Sequence, residues 1–169
     1  MLEVPTAGPY YRVADPSWSD PLDPTYASAG AGQRWNPSGL PCLYLNADVG
    51  TARANVARLH RGLPYGPEDL DPATAPLLVE VEIPSGVAAD AFSGAGLAVM
   101  GLPPTYPLDA SGDVVAHSVC QPLGNLAFDN GLDGVDCRSA TPGGTRELAW
   151  YPRSSVATEL SRRAFSEWW

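Results

Sequence analysis

Backbone punctuation constrains this chain more than any other feature. Seventeen glycines and 18 prolines make 35 of its 169 residues, about 21 % where an ordinary domain carries about 12 %. Proline fixes φ and breaks a helix interior, and glycine favours turns. A bundle of long helices is therefore excluded, and short elements joined by many turns are expected. The 44 % of hydrophobic residues supplies a core and excludes global disorder. The length suits one domain. No apolar run approaches the ~18–20 residues of a bilayer span, and no basic-then-apolar leader opens the chain. The sequence thus predicts a soluble cytoplasmic protein without a membrane partner.

All ten basic residues are arginine, against 19 acids, for a net charge of −9. Such a chain repels the phosphate backbone, so no nucleic-acid partner is expected. Cys42, Cys120 and Cys137 are widely spaced. With no CxxC pair and no histidine at ligand spacing, they read as reduced thiols rather than a metal site.

Local patterns predict an α+β domain around a short sheet. Pro5, Pro9, Pro16, Pro21, Pro24 and Pro37 make residues 1–40 loop-like, with a short strand at 9–13. Residues 41–45 read as a buried strand. An amphipathic helix follows over about 50–61, capped by Asp48 or Thr51, with Ala52, Val56 and Leu59 inward and Arg53, Arg58 and Arg61 pointing elsewhere. Leu77 to Ile83 predicts a central strand with Leu78 on one face and Glu80 and Glu82 on the other. The stretch 84–113 carries only weak elements. Residues 121–128 predict a helix ending near Asn130-Gly131, 132–138 a turn and strand, 146–151 a final strand, and 154–167 a last helix with Val156, Leu160 and Phe165 on one side. No βαβ rhythm runs through these elements.

Generic catalytic motifs are missing: there is no GxSxG, HExxH or GxxxxGK[ST]. Gly94-Ala95-Gly96 lacks a third glycine and a predicted strand before it. Of the two histidines, His60 lies near a helix end, where the negative end of the dipole suits it, and nothing local pairs His117 with a cysteine. What remains is a polar and aromatic set: Tyr11-Arg12, Gly32-Gln33-Arg34-Trp35-Asn36-Pro37, Tyr44 and Asn55. Arginine's planar fork binds phosphate bidentately, and an adjacent aromatic can stack a flat ring. The alternative is that Arg12 and Arg34 pair with surface acids. Asn55 shares the inward face of the helix, so its amide either finds structural partners or lines a pocket.

These segments resemble the RES domain family, named for an arginine, a glutamate and a serine. The matching residues run from Tyr11-Arg12 through Gly32-Gln33-Arg34-Trp35-Asn36-Pro37-Ser38-Gly39 to Leu43-Tyr44-Leu45-Asn46-Ala47. They continue through Cys120-Gln121-Pro122-Leu123-Gly124, Asp133 to Ala140, Gly143-Gly144 and Glu147 to Tyr151, covering about residues 10–152. The resemblance implies a single domain over 1–169 with an ADP-ribosyltransferase-like, short split sheet and flanking helices. It implies cleavage of the nicotinamide–ribose bond of NAD by hydrolysis, phosphorolysis or ADP-ribosyl transfer, in a toxin with a cognate antitoxin. NAD would be substrate or ligand, with no tightly bound cofactor and no metal. By position, Arg12, Asn55 and Ser139 would be catalytic, and Arg34, Tyr44, Trp35 and Ser118 would bind substrate. Arg12 and Arg34 would hold the phosphates and Tyr44 would stack near the nicotinamide. The family's glutamate falls eleven residues after the strand tyrosine, which here is Asn55. An amide offers a dipole but no charge and no base. Hence an impaired nucleotide- or partner-binding module is the alternative reading, unless Glu80, Glu82 or Glu147 supplies the carboxylate.

Overall fold

The computed structural model describes residues 1–141 and 143–169. In chain order its strands are β1 (Glu3–Thr6), β2 (Tyr10–Ala14), β3 (Leu43–Asn46), β4 (Leu77–Glu82), β5 (Gly86–Ala91), β6 (Gly134–Arg138), β7 (Arg146–Trp150) and β8 (Thr158–Arg163). The helices are α1 (Val49–Leu59), α2 (Gly94–Met100), α3 (His117–Asp129) and α4 (Phe165–Trp168). The fold is α+β. One mixed sheet runs β1-β5-β6-β7-β3-β2-β4-β8, antiparallel except for the parallel pair β5–β6.

That sheet is nearly split. β3 pairs with β7 over four positions and β2 with β4 over five, but β2 and β3 meet only at Tyr11↔Asn46. Beside that single rung the Asn46 side chain donates from Nδ2 to the Tyr11 carbonyl at 2.9 Å, so a side chain continues what the backbone ladder leaves off. Both halves still share an apolar cluster, with Leu43, Leu45, Leu148 and Trp150 from one and Val79, Val81 and Ile83 from the other.

Asp48 caps α1, its Oδ1 accepting from the Thr51 amide at 2.6 Å. Ala52 and Val56 then bury against Leu78, Phe165 and Trp168. Leu59, expected inward, is 64 % exposed, because the last turn of α1 runs beyond that cluster. β4 forms as expected but is the penultimate strand rather than a central one. Leu78 shares the face of Glu80 and Glu82, as period two requires, while Val79 and Val81 occupy the other.

Three further expectations change. Residues 158–163 form β8, not the middle of a helix, because the open edge of β4 offers a ladder that an isolated helix of this composition cannot match. Its alternating half-burial leaves Leu160 exposed, and helix returns only as the single turn α4. The weakly patterned 84–113 stretch holds β5 and α2, so a strand does precede Gly94-Ala95-Gly96; Ser93 caps that helix by accepting from Gly96 N. β1, in the segment expected to be loop, pairs with β5. No helix of the described residues is long and apolar enough to cross a membrane.

Candidate active site

A cavity of about 730 Å³ lies at the seam between the two halves of the sheet, a size suited to a small organic ligand. Arg12 and Val13 both line it, which places it at the edge of β2 rather than over one face. The connection from β2 to β3 forms much of its wall through Trp18, Tyr26 and Arg34, while α1 adds Asn55 and Arg58. Trp18 and Tyr26 stack with centroids 4.5 Å apart, and the Arg12 guanidinium carbon stands 5.4 Å from the Trp18 ring.

The arginines are the site's main electrostatic fact. Arg12 is 5 % exposed, and its Nε and one Nη are buried without a hydrogen-bond partner; so are Nε of Arg34 and of Arg58. None of the three forms an ion pair among the described residues, so pairing with surface acids does not account for them. Burial holds the Arg12 pKa below its usual value, yet a guanidinium remains charged at any physiological pH. Three cations with buried, unpaired donors around one cavity fit an anionic ligand with several oxygens.

The same cavity holds a connected set of amides and one carboxylate. Asn55 Nδ2 donates to Asn46 Oδ1 at 2.8 Å and to Glu147 Oε1, and its Oδ1 accepts from the Ser139 hydroxyl at 3.2 Å. Sheet register brings Glu147 there, because Asn46 on β3 pairs with Glu147 on β7. Among the described residues Glu147 is the one carboxylate lining the cavity.

The loop carrying Arg34 is held just as firmly. Asn36, fully buried, donates to the carbonyls of Ala27 and Leu40, both at 3.0 Å, and accepts from the Tyr44 hydroxyl at 3.0 Å. That hydroxyl in turn accepts from Trp35 N at 2.7 Å. From α3, Gln121 donates to Ala31 O and Gln33 O, and the Tyr151 hydroxyl bridges Trp35 O and Gly124 O. Tyr44 therefore orients the loop with its hydroxyl and is itself among the residues that line the cavity.

A family model described as RES domain matches residues 9–167. The chain belongs to the RES domain family. No curated protein matches it. Among solved structures it is similar to a chain of the M. tuberculosis MbcT–MbcA toxin–antitoxin complex, with a TM-score of 0.77 and 20 % identity over 96 % of this chain and 86 % of that one. The likeness extends the RES match to the fold as a whole.

Of the residues that the RES resemblance singled out, Arg12, Arg34, Trp35, Tyr44 and Asn55 converge on the cavity. Trp35 also borders the cavity, but it is fully buried and packs in the core, while its backbone braces the loop. Ser139 is also fully buried, and its hydroxyl reaches the cavity only through Asn55. Ser118 stands exposed in the first turn of α3, outside the cavity wall, whereas its neighbour His117 lines it. Arg58, expected to point elsewhere, lines the cavity too; its i+3 spacing from Asn55 is the signal that places it there. Trp18, Tyr26 and His117 came from segments with no informative spacing. Glu80 donates nothing to the site, accepting instead from Ser161, and Glu82 is exposed. Among the described residues no group of His, Cys, Asp or Glu side chains is arranged to hold a metal ion.

Burial and the positive charge of Arg34 hold the His117 imidazole below its usual range, so it is neutral at pH 7. A bound anion beside Arg34 favours the imidazolium and raises that value. Binding then takes up a proton, and affinity increases as pH falls. Titration calorimetry with ADP-ribose should show binding tightening several-fold between about pH 8 and 6, and His117→Ala should remove most of that dependence. Equal affinity at both pH values would place His117 outside the ligand's field.

Proposed function

We propose that this RES protein cleaves the nicotinamide–ribose bond of NAD. The observation that carries the reading is the set of buried, unpaired guanidinium nitrogens of Arg12, Arg34 and Arg58 around one cavity. A diphosphate offers them several charged oxygens at once, and bidentate charge-assisted bonds are the strongest partners such donors can find. The Trp18–Tyr26 stack and the Tyr44 ring offer apolar faces to the flat rings of the same ligand. In the reaction the C1′–N bond breaks with its electron pair moving to the pyridinium nitrogen, so nicotinamide leaves neutral. An acceptor oxygen then bonds to C1′ and gives up its proton.

Water, phosphate or a protein side chain can each be that acceptor. Purified protein incubated with NAD should release nicotinamide, and the ribosyl product formed with and without added phosphate identifies the acceptor. A chain that releases no nicotinamide but is stabilised against melting by ADP-ribose would be a nucleotide-binding module instead. The solved neighbour is a toxin in complex with an antitoxin, which supports a cognate antitoxin as this chain's protein partner. Growth arrest on expression, relieved by co-expression of such a partner, is the corresponding cellular result. The proposed setting is the cytoplasm, where Cys42, Cys120 and Cys137, all free and buried, remain reduced.

A further inference from the structure

We infer that Glu147, delivered by β7 rather than by α1, is the carboxylate that acts on the ribose carbon, with Asn55 as the residue that positions it. The inference rests on the proposed cleavage of NAD. As nicotinamide departs, positive charge develops on C1′ and the ring oxygen, in a cavity that three arginines also line. A carboxylate is the side chain that stabilises such a centre. Glu147 is the one that lines this cavity among the described residues.

The other acids considered are committed or distant. Glu80 accepts from Ser161 at 2.8 Å, Glu82 is exposed on β4, Asp48 caps α1, and Asp136 is held bidentately by Arg146. Asn55, at the helical position where an acid was sought, has no charge to contribute. It instead fixes Glu147 by donating to Oε1, and is itself fixed by Asn46 and Ser139. Oε2 of Glu147 has no protein donor among the described residues. With water as acceptor, the new O–C1′ bond forms as the C1′–N bond breaks, and the water proton passes to Glu147 and then to solvent. Acid and amide thus sit at opposite ends of one hydrogen bond, the acid on the strand and the amide on the helix.

The test uses the full chain and two readouts, nicotinamide release from NAD and the melting shift caused by ADP-ribose. Glu147→Gln keeps an acceptor for Asn55 and removes only the charge. It should lower kcat roughly a hundred-fold or more, leaving KM and the ADP-ribose shift near those of the unaltered chain. Asn55→Glu alone puts two carboxylates in contact, one of which must protonate, so it should bring no gain. The exchange pair Asn55→Glu with Glu147→Asn returns one carboxylate to the same contact, and should recover at least about tenfold over Glu147→Gln. It also serves as the second variant should Glu147→Gln fail to fold. Unchanged release by folded Glu147→Gln would overturn the role of Glu147 while leaving NAD cleavage standing. A folded exchange pair no better than Glu147→Gln would also count against it. Absence of release by the unaltered chain would overturn both.

Discussion

Replacing Gly124 by alanine should destabilise the protein by about 3 kcal/mol or more, through overpacking rather than lost contacts. A Cβ at this position of α3 would lie 1.8 Å from the carbonyl oxygen of Trp35 and 2.9 Å from the Tyr151 hydroxyl. The first obstacle is backbone and cannot rotate away. Either α3 or the loop carrying Arg34 must move, and Tyr151 then loses its bridge between Trp35 O and Gly124 O. For a domain of this size the loss corresponds to a fall in Tm of roughly 6–12 °C. Scanning calorimetry reads it directly. A melting temperature within about 2 °C of the parent would mean that α3 lifts off the loop at little cost.

Arg34→Ala should have the opposite profile, with a large effect on ligand and little on the fold. Nε of Arg34 is buried without a well-formed hydrogen bond, and the Tyr106 hydroxyl is a polar neighbour beside the guanidinium, so the ligand-free protein has little there to lose. With a diphosphate in place, the same guanidinium forms charge-assisted bonds whose removal costs about 2–4 kcal/mol, roughly a 30- to 1,000-fold loss of ADP-ribose affinity. The melting shift given by millimolar ADP-ribose to the parent should accordingly vanish. Arg34→Lys should restore it poorly, because a point charge does not replace a planar fork. A full melting shift in Arg34→Ala would remove Arg34 from the binding site.

Residues with strong local signals were legible in the sequence. The cap at Asp48, the compact run 41–45, the β-branched alternation around Val79 and the turn before Gly134 each encode their element within a few positions. β8 was not legible, because Thr158–Arg163 is mostly polar and alternates only between exposed and half-buried positions; its strand state is conferred by β4. β5 was hidden for a different reason, since Gly-Val-Ala-Ala-Asp-Ala carries small residues that suit close packing between β1 and β6 but signal no strand. The site divides the same way. Arg12, Arg34, Tyr44 and Asn55 lie in motifs with fixed spacing. Glu147 reaches Asn55 only through the pairing of β7 with β3, a long-range fact that no local window contains. Trp35, an aromatic beside an arginine, suggested stacking on a ligand; its burial in the core at the cavity's border was not legible, because it depends on the polar bracing of its backbone by distant residues.

The single rung between β2 and β3 has a mechanical consequence. Arg12 rides on one half of the sheet, and Tyr44 and Glu147 ride on the other. The span between Arg12 and Glu147 is therefore set where the backbone ladder is thinnest, at Tyr11↔Asn46, with one asparagine side chain and the shared apolar cluster completing the join. Each half keeps ladders of its own, so the cavity lies at the place in the sheet where continuous strand pairing is interrupted.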